Sequence, residues 1–442
     1  MSGREGEGAR RLRVLVLAEA ANPEWTSVPL IGWSLTNALS KVADVHLVTQ
    51  IRNKPALLRK GWTEGADFTA IDNEGVVVPL HSIAARLRGG GNQAWTTVMA
   101  FTAFAYYSFE LQVWKLFRDR LMANEFDVVH RITPLSPTIP SLMPTKLAKL
   151  NVPFVLGPLN GGVPWPKGFR HRQYAEKELL SHIRPLYRLM PAYRSTRKNS
   201  AAIISGSTFT QSEMPDWVRQ KSVFIPENGV DIDLFNNPRR ANASLPLQAA
   251  FVGRLVPYKG ADILIEAARS YLKAGSLTLH IIGDGPQKQL LLQQVEALGL
   301  QERVIFHGWV PHSDIQAKLR DCDFLGLPSI REFGGGVVVE AMALGVTPIV
   351  ADYGGPADLV DDKTGIRVPF GDEKSLVEGF RSAIASVTQA PELLNDLGGA
   401  ARKKVLQSLT WDAKARQMLR IYEAARAGAH DLRALGLEGG AQ

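Results

Sequence analysis

Residues 329–345 read SIREFGGGVVVEAMALG, and the interpretation of the whole chain starts from them. The apolar run Phe324–Leu327 just before them predicts a strand that ends at Pro328. After the three glycines, residues 337–344 favour a helix, and Gly345 stands where a helix C-cap is expected. The segment therefore predicts a strand, a glycine turn and a helix in succession, which is the repeating unit of a parallel α/β sheet.

The glycine turn predicts a site for an anion. Glycine lacks the Cβ that would block a ligand, and the backbone N–H groups and dipole at a helix N-terminus attract negative charge. Glu332 precedes the turn and would lie beside the anion, whereas Glu340, about two helical turns further on, would reach a hydroxyl group. A nucleotide sugar suits this arrangement, with its diphosphate on the turn, one acid on the sugar and the other on the ribose. The alternative is a tight turn flanked by two solvated acids.

The length and composition are those of a globular protein with two domains. The chain has 442 residues, of which 45% are hydrophobic and 21% charged, and a single core seldom organises so many residues. A lone cysteine, Cys322, cannot form an intramolecular disulfide, and no Cys or His cluster has metal-ligand spacing. Residues 1–13 lack the apolar core of a signal peptide. We therefore expect a cytoplasmic protein with no structural metal.

The positive charge lies in the first half of the chain. The net charge is +8, and residues 1–220 carry 27 Lys and Arg against 17 Asp and Glu. This excess favours an anionic partner, either a diphosphate-bearing acceptor or a lipid surface. Contact with the inner face of an anionic membrane would use Arg52, Lys54, Arg59 and Lys60, or the basic segment 167–198; a solvated helix face is the alternative. Nucleic acid is not expected, because no module combines basic and aromatic residues.

The first half alternates strand and helix patterns. Arg13–Ala18 predicts a buried parallel strand, residues 29–40 a helix, and residues 45–49 the next strand. Gly32 stands where the first loop feeds its helix, which is a common ligand position in such sheets, so we assign it to the acceptor side. The most apolar segment, residues 94–117, contains charged residues and predicts a buried helix.

Two later strands of the first half point to the same cleft. Residues 125–131 predict a strand that ends at His130, and open α/β sheets bind ligands at the carboxyl ends of their strands. We therefore assign His130 to the active-site cleft, with a structural hydrogen bond as the alternative. The next strand runs into a glycine-rich loop, where Asn160 and Gly161 are expected to face the cleft from the acceptor side.

The second half adds two cations to the glycine turn. Arg254 and Lys259 are five residues apart in a loop that follows the predicted strand 248–252. Arginine supplies a fork of N–H donors and lysine a point charge, so the two can bind one diphosphate together.

These segments resemble the retaining, nucleotide-sugar-dependent glycosyltransferases of family four, the glycosyl transferases group 1, which have the GT-B fold. The resemblance covers about 200 residues, and its motifs follow the family's order and spacing: 228–231 NGVD, 252–255 VGRL with Lys259 and Gly260, 283–286 GDGP, 306–310 FHGWV, Glu332 with Glu340, Gly354 with Gly355, and Thr364 with Gly365. In the first half it rests on residues 127–130 and on Gly161 and Gly162. Phe333 and Gly334 depart from the family, which usually has Pro-Phe there.

The resemblance implies functions for particular residues. Arg254 and Lys259 would hold the donor diphosphate, Glu332 would contact the transferred sugar, and His130 would approach that sugar from the other domain. These four are the expected catalytic residues. The expected donor-binding residues are Gly253, Gly283, Val310, Gly335, Gly336, Val337 and Glu340. The expected acceptor-side residues are Gly32, Asn160 and Gly161.

The predicted fold class is α/β, with two Rossmann-like domains that face each other across a cleft and a C-terminal helix that crosses back to the first domain. The expected domain bounds are a disordered lead-in at 1–11, an acceptor-binding domain at 12–220, a nucleotide-sugar-binding domain at 221–408, a crossover helix at 409–427 and a frayed tail at 428–442.

The predicted function is transfer of a hexose from a nucleoside-diphosphate sugar to a hydroxyl group, with retention of anomeric configuration. The acceptor would be a glycan or a lipid-linked saccharide in polysaccharide or glycolipid biosynthesis, and the reaction would require no cofactor and no metal. The alternatives are a GT-B partner subunit without catalytic activity and a GT-B nucleotide-sugar epimerase.

Overall fold

The computed structural model describes residues 10–76, 94–169, 172, 187–239, 242–429 and 431–436. Within these ranges the chain forms two parallel sheets, one in each half. The first has the order β3-β2-β1-β4-β5-β6-β7 and the second the order β10-β9-β8-β11-β12-β13. In both, a first strand lies centrally and the chain winds outward on either side, which confirms the predicted pair of Rossmann-like folds.

The elements of the first half span residues 13–224. Its strands are β1 Arg13–Ala18, β2 Asp44–Gln50, β3 Phe68–Ile71, β4 Val128–Thr133, β5 Phe154–Leu159, β6 Ala202–Ser205 and β7 Ser222–Phe224. Its helices are α1 Val28–Val42, α2 Lys54–Arg59, α3 Ala94–Met122, α4 Met143–Ala148, α5 Tyr193–Asn199 and α6 Thr208–Ser212.

The elements of the second half follow from residue 247. Its strands are β8 Leu247–Val252, β9 Leu277–Ile282, β10 Val304–Gly308, β11 Phe324–Leu327, β12 Thr347–Ala351 and β13 Ile366–Val368. Its helices are α7 Ala261–Lys273, α8 Lys288–Leu298, α9 His312–Leu319, α10 Gly336–Ala343, α11 Gly355–Leu359, α12 Glu373–Gln389 and α13 Leu393–Lys404, and the chain ends in α14 Trp411–Arg426.

The central strands are buried on both faces because helices cover each side of the sheets. All residues of β4, β5 and β11 are buried, as expected for strands covered on both faces, although β4 includes His130 and Arg131. Helix α3 confirms the helix predicted from the apolar segment, and its side chains at Phe109, Val113 and Phe117 are buried in the core of the first half. A membrane span needs about 20 consecutive apolar residues, and no helix in the described ranges meets the length and hydropathy required to cross a bilayer.

Helix α14 crosses from the second half back to the first, as predicted. Thr410 caps its N-terminus by accepting a hydrogen bond from the backbone N–H of Ala413. Its apolar face packs with Trp33 and Leu39 of α1 through Met418 and Ile421. Its start is held to residue 230 by two backbone hydrogen bonds, Val230 N–H to the Leu409 carbonyl at 3.0 Å and Trp411 N–H to the Val230 carbonyl at 3.2 Å.

A buried hydrogen bond connects the middle of α14 to the first sheet. The His130 ring lies between the Tyr422 hydroxyl and the Gly157 carbonyl, each 2.6 Å from a ring nitrogen. Because a carbonyl oxygen can only accept, Nε2 carries the proton and Nδ1 accepts from the Tyr422 hydroxyl. Burial lowers the pKa of His130 to about 4, so the ring is neutral at neutral pH.

Replacing Tyr422 by Phe should destabilise the fold by about 1–3 kcal/mol, because it leaves a buried acceptor on His130 without a donor. Urea denaturation of Tyr422→Phe and of the unmodified protein measures the difference. Asp412→Asn on the same helix is the control, since Asp412 pairs with Lys41 at the surface and exposed pairs contribute about 0–1 kcal/mol. Equal midpoints for Tyr422→Phe and the unmodified protein would contradict the assigned hydrogen bond.

Candidate active site

The carboxyl edge of the second sheet is lined by bare backbone. Gly253 follows β8 and Gly283 follows β9, with φ of +156° and +142°. A Cβ on Gly283 would lie 2.0 Å from the Gly253 carbonyl oxygen, a distance that no side chain tolerates. Both positions require glycine, so no side chain projects from the edge there and a ligand can approach the backbone closely.

Of the two predicted cations, Lys259 contacts an acid and Arg254 is exposed to solvent. Lys259 ends a 3-10 turn, Pro257–Lys259, and its Nζ contacts Oε2 of Glu332, with both side chains mostly buried. Arg254 is exposed, and no hydrogen bond or ion pair within the described ranges engages its guanidinium group. Lys259 and Glu332 meet at the edge formed by the glycines, where the lysine side chain lies 3.9 Å from the place a Cβ on Gly253 would occupy, and Arg254 directly follows Gly253 in the chain.

The glycine turn opens helix α10 as the sequence indicates. Gly335 is the N-cap residue with φ of +69°, and the helix runs from Gly336 to Ala343. The N–H groups of Gly336 and Val337 stand in the first turn, where a helix has no internal acceptors for them. The positive N-terminal end of α10 therefore lies in the same half of the molecule, and at the same sheet edge, as Arg254 and Lys259.

Glu340 has a partner that sequence reasoning missed. Its Oε1 accepts a hydrogen bond from Nε2 of His312, the first residue of α9, at 2.8 Å. This carboxylate raises the pKa of His312 above its ordinary value. Val310, predicted to border the nucleotide, is partly buried against the core two residues earlier. The second Glu340 oxygen makes no hydrogen bond within the described ranges.

The predicted cleft position of His130 is wrong. Its side chain is 0% exposed, and its ring nitrogens are bonded to Tyr422 of α14 and to the Gly157 carbonyl, so it does not reach a ligand between the sheets in this structure. Successive strand residues face opposite sides of a sheet, and His130 faces α14. The alternative prediction for His130, a structural hydrogen bond, is what the structure shows.

Gly32 also differs from its predicted position. It lies inside α1 rather than at the mouth of the loop, and its carbonyl accepts from the Thr36 hydroxyl at 2.6 Å. A Cβ there would lie 2.1 Å from the Ala20 carbonyl oxygen. Glycine at this position therefore allows the helix to pack closely on the loop after β1, and no acceptor contact is needed to explain it.

Asn160 and Gly161 face the glycine turn across the domain boundary. Nδ2 of Asn160 donates to the Phe333 carbonyl at 2.9 Å, and Oδ1 accepts from the Gly161 N–H at 2.8 Å and the Ser207 hydroxyl at 2.9 Å. Asn160 is 6% exposed. The loop after β5 thus lies directly against the segment where the sequence departs from the family pattern.

Further contacts bind this loop to the second half. Arg172 is buried and donates to Asp262 at 2.6 Å, to Glu373 at 3.0 Å and to the Pro257 carbonyl at 2.6 Å. The Arg331 side chain donates to the Val163 carbonyl, and the Tyr353 hydroxyl donates to the Pro164 carbonyl. The two halves are therefore in contact on one side of the site.

Two buried charged residues beside the turn were not predicted. Glu227 is 8% exposed and immediately precedes Asn228, and Lys414 is 1% exposed on α14. A signal existed for Lys414: it stands three residues after Trp411, on the apolar stripe of the helix, where a cation needs a buried partner. Glu227 carried no such signal, because an acid next to a turn usually remains solvated.

The cations predicted to contact a membrane are mostly paired. Arg52 lies 3.3 Å from Glu74, Lys54 2.5 Å from Glu64, and Arg59 2.7 Å from Glu24. Exposed pairs of this kind weaken the local positive field. Half of the segment 167–198 falls outside the described residues, so its predicted contact with a membrane is not tested.

Comparisons with known proteins agree with this geometry. Residues 237–404 match the family described as Glycosyl transferases group 1. The D-inositol 3-phosphate glycosyltransferase of Segniliparus rotundus is 31% identical over 222 residues, which are 47% of this chain and 48% of the relative. The putative colanic acid biosynthesis glycosyltransferase WcaL of Escherichia coli K12 is 29% identical over 57% of this chain and 62% of its own. The chain thus matches less than two thirds of these relatives.

Two solved structures share the fold. Anabaena HepE in complex with UDP aligns over 93% of this chain and 100% of its own, with a TM-score of 0.57 and 16% identity. The lipopolysaccharide outer core galactosyltransferase WaaB aligns over 93% of this chain and 99% of its own, with a TM-score of 0.58 and 14% identity. Likeness at this level of identity supports the two-domain GT-B fold.

Substituting Gly334 by Ala should destabilise the protein by about 1–3 kcal/mol, because a Cβ there overpacks the buried boundary. It would lie 2.1 Å from both Asn228 Nδ2 and Glu227 Oε1. Thermal unfolding measures the effect. Gly399→Ala in α13 is the matched control, because nothing lies within 4 Å of its added Cβ, and it should be neutral or stabilising by up to about 1 kcal/mol. Equal effects of the two substitutions would contradict the packing at Gly334.

The His312–Glu340 pair should make stability depend on pH. Because the folded-state pKa of His312 is raised, its contribution is complete below the ordinary histidine value of about 6.5 and is lost as the pH rises through the raised pKa. An NMR titration of the His312 ring should give a midpoint above 6.5. In Glu340→Gln that midpoint should fall. An unchanged midpoint in Glu340→Gln would show that this carboxylate does not stabilise the charged ring.

Proposed function

We propose that this chain, whose residues 237–404 match the Glycosyl transferases group 1 family, transfers a sugar from a nucleoside-diphosphate donor to a hydroxyl acceptor. The observation that carries the proposal is the contact of Lys259 with Glu332 at the sheet edge where Arg254 follows Gly253, in the same half as the glycine turn that opens α10. The donor is a nucleotide hexose, and the acceptor is a glycan or a lipid-linked saccharide in polysaccharide or glycolipid biosynthesis. The likeness to WcaL and the UDP bound to HepE support these finer assignments.

The donor lies along the carboxyl edge of the second sheet. Its diphosphate binds Arg254, Lys259 and the first N–H groups of α10, since fixed positive groups favour an anion there. Gly253 and Gly283 admit the nucleotide against bare backbone, and Val310 borders it. The second oxygen of Glu340 accepts a hydrogen bond from a ribose hydroxyl, while His312 donates a hydrogen bond to the first oxygen.

The reaction breaks the bond between the anomeric carbon and the diphosphate oxygen and forms a bond from that carbon to the acceptor oxygen. Negative charge grows on the departing diphosphate as the sugar takes on oxocarbenium character. Arg254 and Lys259 stabilise that charge without reorganising, so no metal is invoked. For retention, the acceptor hydroxyl attacks from the side of the leaving group and its proton passes to a diphosphate oxygen.

Glu332 orients Lys259 and the transferred sugar. Its contact with Nζ of Lys259 holds the lysine at the site edge before the donor arrives. Asn160 approaches the turn from the first domain through the Phe333 carbonyl, and this opposite surface receives the acceptor. Contact between the two halves excludes water, which would otherwise compete with the acceptor.

For location, we propose the cytoplasm, with peripheral contact at the inner face of the cell membrane. Leu58 and Trp25 are 47% and 45% exposed near the basic cluster, and exposed apolar side chains beside cations suit a lipid surface.

Arg254→Ala and Lys259→Ala should each lower kcat/KM for transfer by about 10²- to 10³-fold, as does the loss of one preorganised charge. Thermal-shift screening against UDP-, GDP- and ADP-sugars identifies the donor, and transfer to an added acceptor is then measured with it. Lys273→Ala is the control, because Lys273 is an exposed cation at the end of α7 in the same domain. Unchanged transfer in both site variants would overturn the assignment. Release of an altered sugar in the absence of an acceptor would indicate an epimerase. If the protein binds the nucleotide but shows no turnover, a partner subunit without catalytic activity is indicated.

A further inference from the structure

A buried acid and a buried lysine lie between the crossover helix and the glycine turn. Glu227 follows β7 in the first half, and Lys414 lies in the first turn of α14. Nζ of Lys414 donates to the carbonyl of Pro226, the residue immediately before Glu227. Neither side chain belongs to the set that the proposed reaction uses.

Glu227 lies directly against the turn. Its Oε1 is 2.1 Å from the place a Cβ on Gly334 would occupy, and its own Cβ is 2.9 Å from the corresponding place on Gly206. Asn160 lies next to Glu227, because its Cβ is 3.1 Å from the same place on Gly206, and its amide donates a hydrogen bond to the Phe333 carbonyl. The acid and the amide therefore fill the space behind Phe333 and Gly334.

The turn needs this support because of its composition. Three consecutive glycines have more conformational freedom than any other tripeptide, so the N–H groups at the start of α10 keep their direction only if outside contacts hold the backbone. The Gly355 N–H supplies one such contact, to the Glu332 carbonyl at 3.0 Å. Asn160 and Glu227 supply the others from the first half.

The support that Glu227 gives to the glycine turn depends on the charge of Glu227 and of the groups around it. The groups that act on Glu227 lie close to the site: its pKa is raised to about 7, chiefly because the carboxyl is buried, with Asn160 and Lys414 lowering it and Glu332 raising it. Burial lowers the pKa of Lys414 to about 7, and Glu227 opposes that change. Lys259 neutralises Glu332 next to them. A second uncompensated carboxylate behind the turn would repel a diphosphate, whereas a protonated or lysine-compensated one would not.

We propose that Glu227, which lies beside Asn160 and near the buried Lys414 of the crossover helix, is a positioning residue that holds the glycine turn in its diphosphate-binding conformation. This inference rests on the proposed function, since it assigns the support of the same donor site. It also connects the two halves: the helix that joins them supplies the charge on which the donor site depends. Donor affinity should therefore fall as the pH rises through about 7, where the buried pair loses protons.

The test is a double-mutant cycle on nucleotide binding, measured by calorimetry with whichever of UDP, GDP and ADP the unmodified protein binds most tightly. Lys414→Met should weaken binding at pH 7.5 by at least about tenfold, because it leaves a buried carboxylate uncompensated. Adding Glu227→Gln to Lys414→Met should recover most of that loss. Glu227→Gln alone keeps the size and shape of the side chain beside Asn160 and should flatten the pH dependence of affinity between pH 6 and 8.

The matched control is another lysine–acid pair that involves the same helix, with Lys41 on α1 and Asp412 on α14. Lys41 and Asp412 are exposed and 2.8 Å apart, so Lys41→Met with Asp412→Asn should leave nucleotide affinity within about twofold. If Lys414→Met does not fold, the pH profile of Glu227→Gln still decides the question. Additive effects in the cycle, or a pH profile that Glu227→Gln leaves unchanged, overturn the inference. Failure of the unmodified protein to bind any nucleotide overturns the proposed function instead.

Discussion

The structure depends on the way helix α14 is anchored to the first half of the chain. Its start fits because Gly229 has no side chain: a Cβ there would lie 2.8 Å from the Trp411 ring. Its middle is held by the Tyr422 hydroxyl on His130, and Lys414 bonds the Pro226 carbonyl between them. Since a buried polar group without a partner is costly, these contacts tie the helix to one position and so tie the second half to the first.

This anchoring determines what the glycine turn meets. The turn belongs to the second sheet, yet Asn160 and Glu227 from the first half contact it. The buried Arg172 joins the same loop to Asp262 and Glu373. The candidate site is consequently a boundary between two folding units, with the donor edge formed by one and its backing formed by the other. Such a boundary is where α/β proteins with two similar halves commonly place ligands.

The charges at this boundary are balanced in pairs. Lys259 meets Glu332, His312 meets Glu340, and Lys414 acts on Glu227, while Arg254 remains exposed. Each pair sets a carboxylate beside a cation before any ligand is present, which limits the repulsion that a diphosphate would meet. Arg254 contributes the charge that no described acid offsets, and the helix dipole of α10 adds to it.

The sequence by itself determined the two parallel sheets, the βα unit around residues 329–345, the crossover helix and the pairing of cations with the glycine turn, because these follow from local periodicity, glycine placement and spacing along the chain. Only the tertiary structure decided the surroundings of single side chains. The sequence predicts that a strand ends at His130, but β4 continues to Thr133, and the His130 side chain faces α14, where it is bonded to Tyr422, away from the cleft. Gly32 serves helix packing, and Lys414 bonds the carbonyl of Pro226, 188 residues earlier in the chain and next to Glu227. Burial and long-range contact, which no local pattern encodes, give these residues their partners.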